Sequence, residues 1–261
     1  MGILNVTPDS FSDGGRFEDV ARAVRRGLEM VANGADMVDV GGESTRPGSS
    51  PVSEAEELRR VMPVLEELAA STEVPISIDT QKPGVARRCV RAGAAILNDI
   101  RGFRDPAMME AAAAGGASVI LMHMRGEPAT MQRDTSYSDV VREVAAFLRG
   151  RAAAVRHAGV REIAVDPGIG FGKSVRQNFE IIARLQEIAA LGFPVLVGPS
   201  RKSFLGGLPS RLPVGQRLEG TLAAVAAAAM NGARIVRVHD VRPCKRVLEV
   251  VDAVKEAGRA G

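Results

Sequence analysis

Eight short runs rich in β-branched residues recur along this chain, and each is followed by a longer stretch with helical patterning. The runs are Gly2–Val6, Met37–Gly42, Pro75–Thr80, Ala95–Ile100, Ser118–Met124, Glu162–Asp166, Pro194–Gly198 and Arg234–Asp240. The intervening helices are expected over Asp19–Asn33, Ser53–Ala70, Pro83–Ala92, Pro106–Ala114, Ser138–Ala158, Gln177–Ala190, Arg217–Asn231 and Arg242–Ala257. Strict alternation of strand and helix demands a parallel sheet, because parallel neighbours can be joined only by a crossover. Spread over 261 residues, eight units take about 33 residues each, the length of one strand–helix repeat. The count favours a single α/β domain over 1–261, closed as a (β/α)8 TIM barrel, over an open doubly wound sheet. The first strand-to-helix turn agrees, since Asn5-Val6-Thr7-Pro8-Asp9 carries no dinucleotide glycine fingerprint.

Side-chain parity gives the sheet two faces, because successive strand residues point in opposite directions. Leu4/Val6, Val38/Val40, Ile76/Ile78, Ile163/Val165, Val195/Val197 and Val236/Val238 form one apolar set, which is expected to face the helices. The opposite parity then points inward. Near the strand ends it carries Asn5, Asp39, Asp79, Asn98, Met122, Asp166, Gly198, Arg237 and His239. Barrel enzymes keep their chemistry at the C-terminal ends of the strands, so these residues form the candidate site.

The residue types suggest two subsites. Asp79, Asn98 and Asp166 are acceptors on neighbouring strands, and a buried carboxylate needs donors or a counter-charge. A flat heterocycle presenting adjacent N–H groups, such as a 2-amino-4-oxopteridine, would satisfy them, with Met122 and Ile100 sandwiching the ring. Alternatively, the carboxylates pair with Lys202 or Arg237. On the facing side, Asn5, Arg46, Arg237 and His239 suit an oxyanion-rich group such as pyrophosphate. Asn5 is a candidate ligand for Mg2+, which uses few protein oxygens when phosphates supply the rest. Phe11, Phe103, Phe171 and Phe204 all fall just after strands, where they either plug the barrel mouth or stack on a second aromatic ligand. Gly168-Ile169-Gly170-Phe171-Gly172-Lys173 looks superficially like a phosphate loop but lacks the Walker spacing.

Composition narrows the function classes. A hydrophobic fraction of 46% with 25% charged residues excludes disorder. The formal charge of +3 is scattered along the chain, which argues against a nucleic-acid partner. The apolar run Thr221–Met230 is too short to span a bilayer, and no signal peptide opens the chain. Cys89 and Cys244 read as buried thiols in a reducing compartment, so the expected location is the cytoplasm. The small-sided stretch Thr221–Ala233 permits close helix packing across a two-fold axis.

At these residues the sequence resembles the dihydropteroate synthase family over almost its whole length. Residues Asn5 to Gly15 are similar to the family's first mobile loop, and Gly41-Gly42-Glu43-Ser44-Thr45-Arg46-Pro47-Gly48 to its second. Ser77-Ile78-Asp79-Thr80, Asn98-Asp99, Asp166 to Lys173, Ser200-Arg201-Lys202-Ser203 and Arg237-Val238-His239-Asp240 resemble the remaining signatures in order. The resemblance implies a transferase that joins a pterin methylene group to para-aminobenzoate with loss of pyrophosphate. It implies that Asp79, Asn98, Ile100, Met122, Asp166, Gly198, Lys202 and Arg237 hold the pterin. Asn5, Thr45, Arg46, Arg237 and His239 would hold pyrophosphate, with Asn5 meeting Mg2+. Phe11, Thr45, Pro47, Phe171 and Ser203 would frame para-aminobenzoate. Asp13, Arg46, Lys202, Arg237 and His239 would carry the chemistry, and the protein would be a homodimer. The family also carries residues ahead of its first strand, which here opens at Met1; any such residues would sit at the barrel bottom. Rival readings are a methyltetrahydrofolate:corrinoid methyltransferase-like protein, a Lys202-dependent aldolase and a non-catalytic pterin-binding barrel.

Overall fold

A computed structural model describes residues 1–7, 16–44, 51–128 and 130–259 of the chain. Eight parallel strands follow one another in sequence order: β1 (Gly2–Asn5), β2 (Val38–Gly41), β3 (Ile76–Asp79), β4 (Ile96–Asp99), β5 (Ser118–Met122), β6 (Ile163–Asp166), β7 (Val195–Val197) and β8 (Ala233–Val236). The sheet curls, and its last strand returns to its first. Gly2 bridges Val238 in parallel, with the Ile3 N–H donating to the Val238 carbonyl at 2.9 Å and the Val238 N–H to the Met1 carbonyl at 3.0 Å. β8 ends its ladder earlier than the sequence pattern suggests, and a register shift at Val195/Leu196 marks its pairing with β7.

The described helices are α1 (Arg16–Ala32), α2 (Glu54–Ser71), α3 (Pro83–Arg91), α4 (Pro106–Gly115), α5 (Val140–His157), α6 (Val175–Ala183), α7 (Leu185–Ala189), α8 (Leu218–Met230) and α9 (Val241–Ala257). Their starts follow capping chemistry. Asp105 accepts from the Ala107 N–H ahead of Pro106, and Ser174 and Gln177 form a reciprocal capping box. One expectation is corrected. The single helix expected over Gln177–Ala190 is two, α6 and α7, broken at Arg184. No glycine or proline marks that break. The Arg184 guanidinium is instead held by Asp139, Glu180 and Glu187, and Asp139 lies at the head of α5, far away in sequence.

The parity argument holds in three dimensions. Leu4, Val6, Val38, Val40, Ile76, Ile78, Ile163, Val165, Val195, Val197, Val236 and Val238 all join the large apolar cluster between sheet and helices. A separate small cluster of Met1, Ile120 and Leu196, with Met37, Ile96, Ala164 and Ile235 packed against it, fills the inside of the curl. This plug leaves the polar inward residues only the strands' C-terminal ends, where the side chains meet.

Candidate active site

Register explains why the polar residues converge. Asn5, Gly41 and Asp79 are lateral neighbours across β1, β2 and β3, and Asp79 pairs in turn with Asn98 on β4. A Cβ built on Gly41 would lie 3.5 Å from the Asp79 Cβ and 3.8 Å from the Asn5 Oδ1, so the glycine lets the two flanking side chains share one rim.

Arg237, just past β8, organises the floor of this rim. Its Nε donates to Asp39 Oδ2 at 2.5 Å and its Nη2 to Asp79 Oδ2 at 2.8 Å. Asp39 is fully buried and also accepts from the Asn98 Nδ2 at 3.1 Å, which turns the Asn98 amide oxygen away from it. Of the two arrangements the sequence left open, the structure shows the pairing: Arg237 binds Asp79 and, beneath it, Asp39. Burial in company with Asp39 pushes the Asp79 carboxyl up to about 7 despite the pull of Arg237. Burial likewise raises Asp166, whose Oδ1 accepts the Gly168 N–H at 2.7 Å.

Lys202 is the second cation. Burial lowers its ammonium to about 8, against the attraction of Asp166. Its Nζ donates to the Ile169 carbonyl at 2.5 Å and lies 4.7 Å from the centre of the Phe171 ring. Gly198 keeps open the space between the two cations: a Cβ there would lie 3.6 Å from the Arg237 Cβ and 3.9 Å from the Lys202 Nζ.

Beside this polar floor stands an apolar wall. Ile100, Met122, Met124 and Met131 form a cluster of their own, with Phe171 packed against it. Asp99 positions Ile100 by capping the turn after β4, where its carboxylate accepts from the Arg101 and Phe103 N–H groups at 2.8 and 2.7 Å. A planar polar floor meeting a thioether-rich wall suits a fused nitrogen ring.

Asn5 and His239 stand at the other edge, where they line a cavity of about 510 Å³ together with Arg22, Arg25, Arg26 and Arg201. His239 Nδ1 is 2.9 Å from the Ser200 Oγ, and its backbone N–H donates to the same oxygen at 3.2 Å. Glu29 lines it too, and Arg22, Arg26 and Arg201 already pair with Asp19, Glu29 and Asp240, so the cavity wall carries both signs.

Other expectations fare differently. Phe103 and Phe204 are buried in the large cluster behind the sheet, so neither can stack on a ligand at the mouth. Their positive contribution is packing. Ser203 is exposed at the start of a short 3-10 helix, Ser203–Gly207. Phe11, Asp13, Thr45, Arg46 and Pro47 lie outside the described residues. Three groups have no individual role assigned from the sequence. Asp39 was readable as inward-facing, but not as the anchor of Arg237 and Asn98. Ser200 and the buried pair His123–Lys173 gave no periodic signal.

Comparison with known proteins decides the family. The pterin binding enzyme model matches residues 1–239. The dihydropteroate synthase of Escherichia coli strain K12 is 48% identical over 259 residues, which covers 98% of this chain and 92% of the relative. The chain belongs to the dihydropteroate synthase family of pterin-binding enzymes. Two solved members superpose on it closely. The Xanthomonas albilineans dihydropteroate synthase with 4-aminobenzoic acid is 47% identical, with a TM-score of 0.91 over 98% of this chain and 92% of that one. The Burkholderia cenocepacia dihydropteroate synthase complexed with 7,8-dihydropteroate is 44% identical, with a TM-score of 0.88 over 100% and 92%.

Proposed function

We infer that the chain condenses 6-hydroxymethyl-7,8-dihydropterin pyrophosphate with para-aminobenzoate to give 7,8-dihydropteroate and pyrophosphate. The observation that carries this reading is the meeting of Asp79, Asn98 and Arg237 in one hydrogen-bonded floor beside the Met122–Ile100–Phe171 wall, in a chain whose relatives bear that activity's name.

In this reading the pterin's ring N–H and amino groups donate to Asp79, Asn98 and Asp166, while Ile100 and Met122 cover a face of the ring. Lys202 and Arg237 donate to its acceptors along the open edge beside Gly198. Asn5, Thr45, Arg46, Arg237 and His239 take the diphosphate. Mg2+ fits the donor set: Asn5 offers one amide oxygen, and phosphate oxygens and water would complete the shell. When bound, Mg2+ supplies charge neutralisation to the leaving group.

The C–O bond to pyrophosphate breaks and leaves a methylene cation delocalised into the electron-rich dihydropterin. Arg46, Arg237 and His239 stabilise the departing charge, and Asp13 stabilises the cation. The amine of para-aminobenzoate, framed by Phe11, Thr45, Pro47, Phe171 and Ser203, then attacks to form the C–N bond and gives up one N–H proton to the released pyrophosphate or to solvent. No protein nucleophile is needed. Closure of mobile loops 1 and 2 excludes water that would otherwise capture the cation. Residues 1–261 act as one pterin-binding domain, in a cytoplasmic homodimer without a nucleic-acid or membrane partner. No described helix is long and apolar enough to cross a membrane.

The test is to incubate the protein with both substrates and Mg2+ and to measure dihydropteroate and pyrophosphate in equal amounts, with a sulfonamide competing against para-aminobenzoate. Binding of pterin without turnover would favour the non-catalytic reading. Methyl transfer from a folate to a corrinoid, or borohydride trapping of Lys202 on a carbonyl substrate, would favour the other rivals. Gel filtration at the monomer mass would reject the dimer.

A further inference from the structure

The sequence Gly168-Ile169-Gly170-Phe171-Gly172-Lys173, which resembles a phosphate loop, does something else in the fold. A phosphate-binding lysine must present its ammonium to a ligand. Lys173 is only 2% exposed and turns inward. Its Nζ donates to the Gly168 and Phe171 carbonyls at 2.9 Å each, faces the His123 Nδ1 at 3.0 Å, and lies 3.4 Å from the His123 carbonyl.

Local backbone chemistry makes this possible. Gly168, Gly170 and Gly172 all have positive φ, at 65°, 82° and 60°, a conformation that other residues adopt only under strain. The winding turn brings carbonyls of residues 168 and 171 onto one ammonium, hard against the chain that follows β5. A Cβ on Gly168 would fall 1.9 Å from the His123 carbonyl oxygen. His123 is a neutral acceptor here, because burial lowers its pKa to about 2, and its ring meets Phe147 edge-on at 4.9 Å. From outside, the Tyr137 hydroxyl donates to the Gly172 carbonyl at 3.0 Å.

Two residues of this turn reach the candidate site. Phe171 packs on the apolar wall beneath the Lys202 ammonium, and the Ile169 carbonyl accepts from that ammonium. Lys173 reaches the wall through the Phe171 backbone carbonyl and turns its ammonium away from the ligand side. We propose that Lys173 is a positioning residue: by tying the turn after β6 to His123 at the end of β5, it presets the Phe171 ring and the Ile169 carbonyl against which Lys202 rests. The inference rests on the reading of this site as a pterin site.

Calorimetric titration with 6-hydroxymethyl-7,8-dihydropterin pyrophosphate separates the two claims. Wild-type protein that binds no pterin would sink the functional reading itself. Given wild-type binding, Lys173→Met is expected to weaken it about tenfold. A cycle with Lys202→Met should be non-additive, the double variant losing less than the product of the two single losses, because Lys173 acts through Lys202. A purely structural lysine would lower the melting temperature and leave the folded fraction's affinity and the cycle additive; either result overturns the proposal. Should Lys173→Met not fold, Tyr137→Phe loosens the same turn by one hydrogen bond from the other side. It is expected to cost about threefold in pterin affinity and to be non-additive with Lys202→Met, and unchanged affinity would refute the idea equally.

Discussion

Arg237, half-buried, and Lys173, fully buried, are both cations near the ends of the strands, and the fold satisfies them in opposite ways. Arg237 meets two carboxylates, Asp39 and Asp79, which raise its pKa. Lys173 contacts only neutral acceptors, and burial lowers it to about 7. Around Lys173 the donors and acceptors are mutually matched, so nothing is left over for a ligand. Around Arg237 the balance is incomplete: Asp39 keeps one buried oxygen with no hydrogen bond in the protein, and the Asp79 carboxyl is pushed toward neutrality. A closed network holds a loop. An unbalanced one awaits a guest with donors.

The largest test of that contrast is Arg237→Met. It leaves Asp39 and Asp79 facing each other without a counter-charge, which should cost about 3–5 kcal/mol in urea unfolding and abolish turnover. A wild-type denaturation midpoint would show that the pair is not the keystone described.

Next comes Asp79→Asn, expected to weaken pterin binding by about 1.5–3 kcal/mol, or roughly 10- to 150-fold. The pH dependence sharpens it. The anion is the form that accepts pterin N–H groups, so wild-type affinity should fall as pH drops through about 7, and Asp79→Asn should flatten that slope. Stability moves the other way. The folded-state pKa stands above the ordinary carboxyl value of 3.8, so folding favours the neutral acid. This contribution is complete below about 3.8 and is lost as pH rises through about 7. Melting curves of the ligand-free protein and of Asp79→Asn across that window should converge at the acid end if the carboxyl is the cause.

Smaller again is Met122→Ala, which removes apolar cover from the wall while sparing the floor. About 1.5 kcal/mol of pterin affinity should go, independent of pH. A pH-dependent loss would mean the substitution had disturbed Asp79. The smallest effect is expected from Ser200→Ala. It deprives His239 of a hydrogen-bond partner, worth about 1 kcal/mol, and should lower kcat a few-fold while pterin affinity holds. Equal damage to pterin affinity would move His239 to the wrong subsite.

The strand–helix alternation, the direction of each strand and the inward set from Asn5 to His239 were legible in the sequence, because a period of two has only two faces and an apolar parity leaves the other face no choice. Motif order sufficed for the family. Tertiary structure alone chose between the two placements of Arg237, pairing it with Asp39 and Asp79, and decided that Phe103 and Phe204 belong to the core, that the helix breaks at Arg184, and that Lys173 points inward. Each of these depends on partners far apart in the chain, such as Asp39 and Arg237 at 198 residues' separation. Periodicity registers which way a side chain points from its own backbone; which charge it meets there is set by the curl of the sheet.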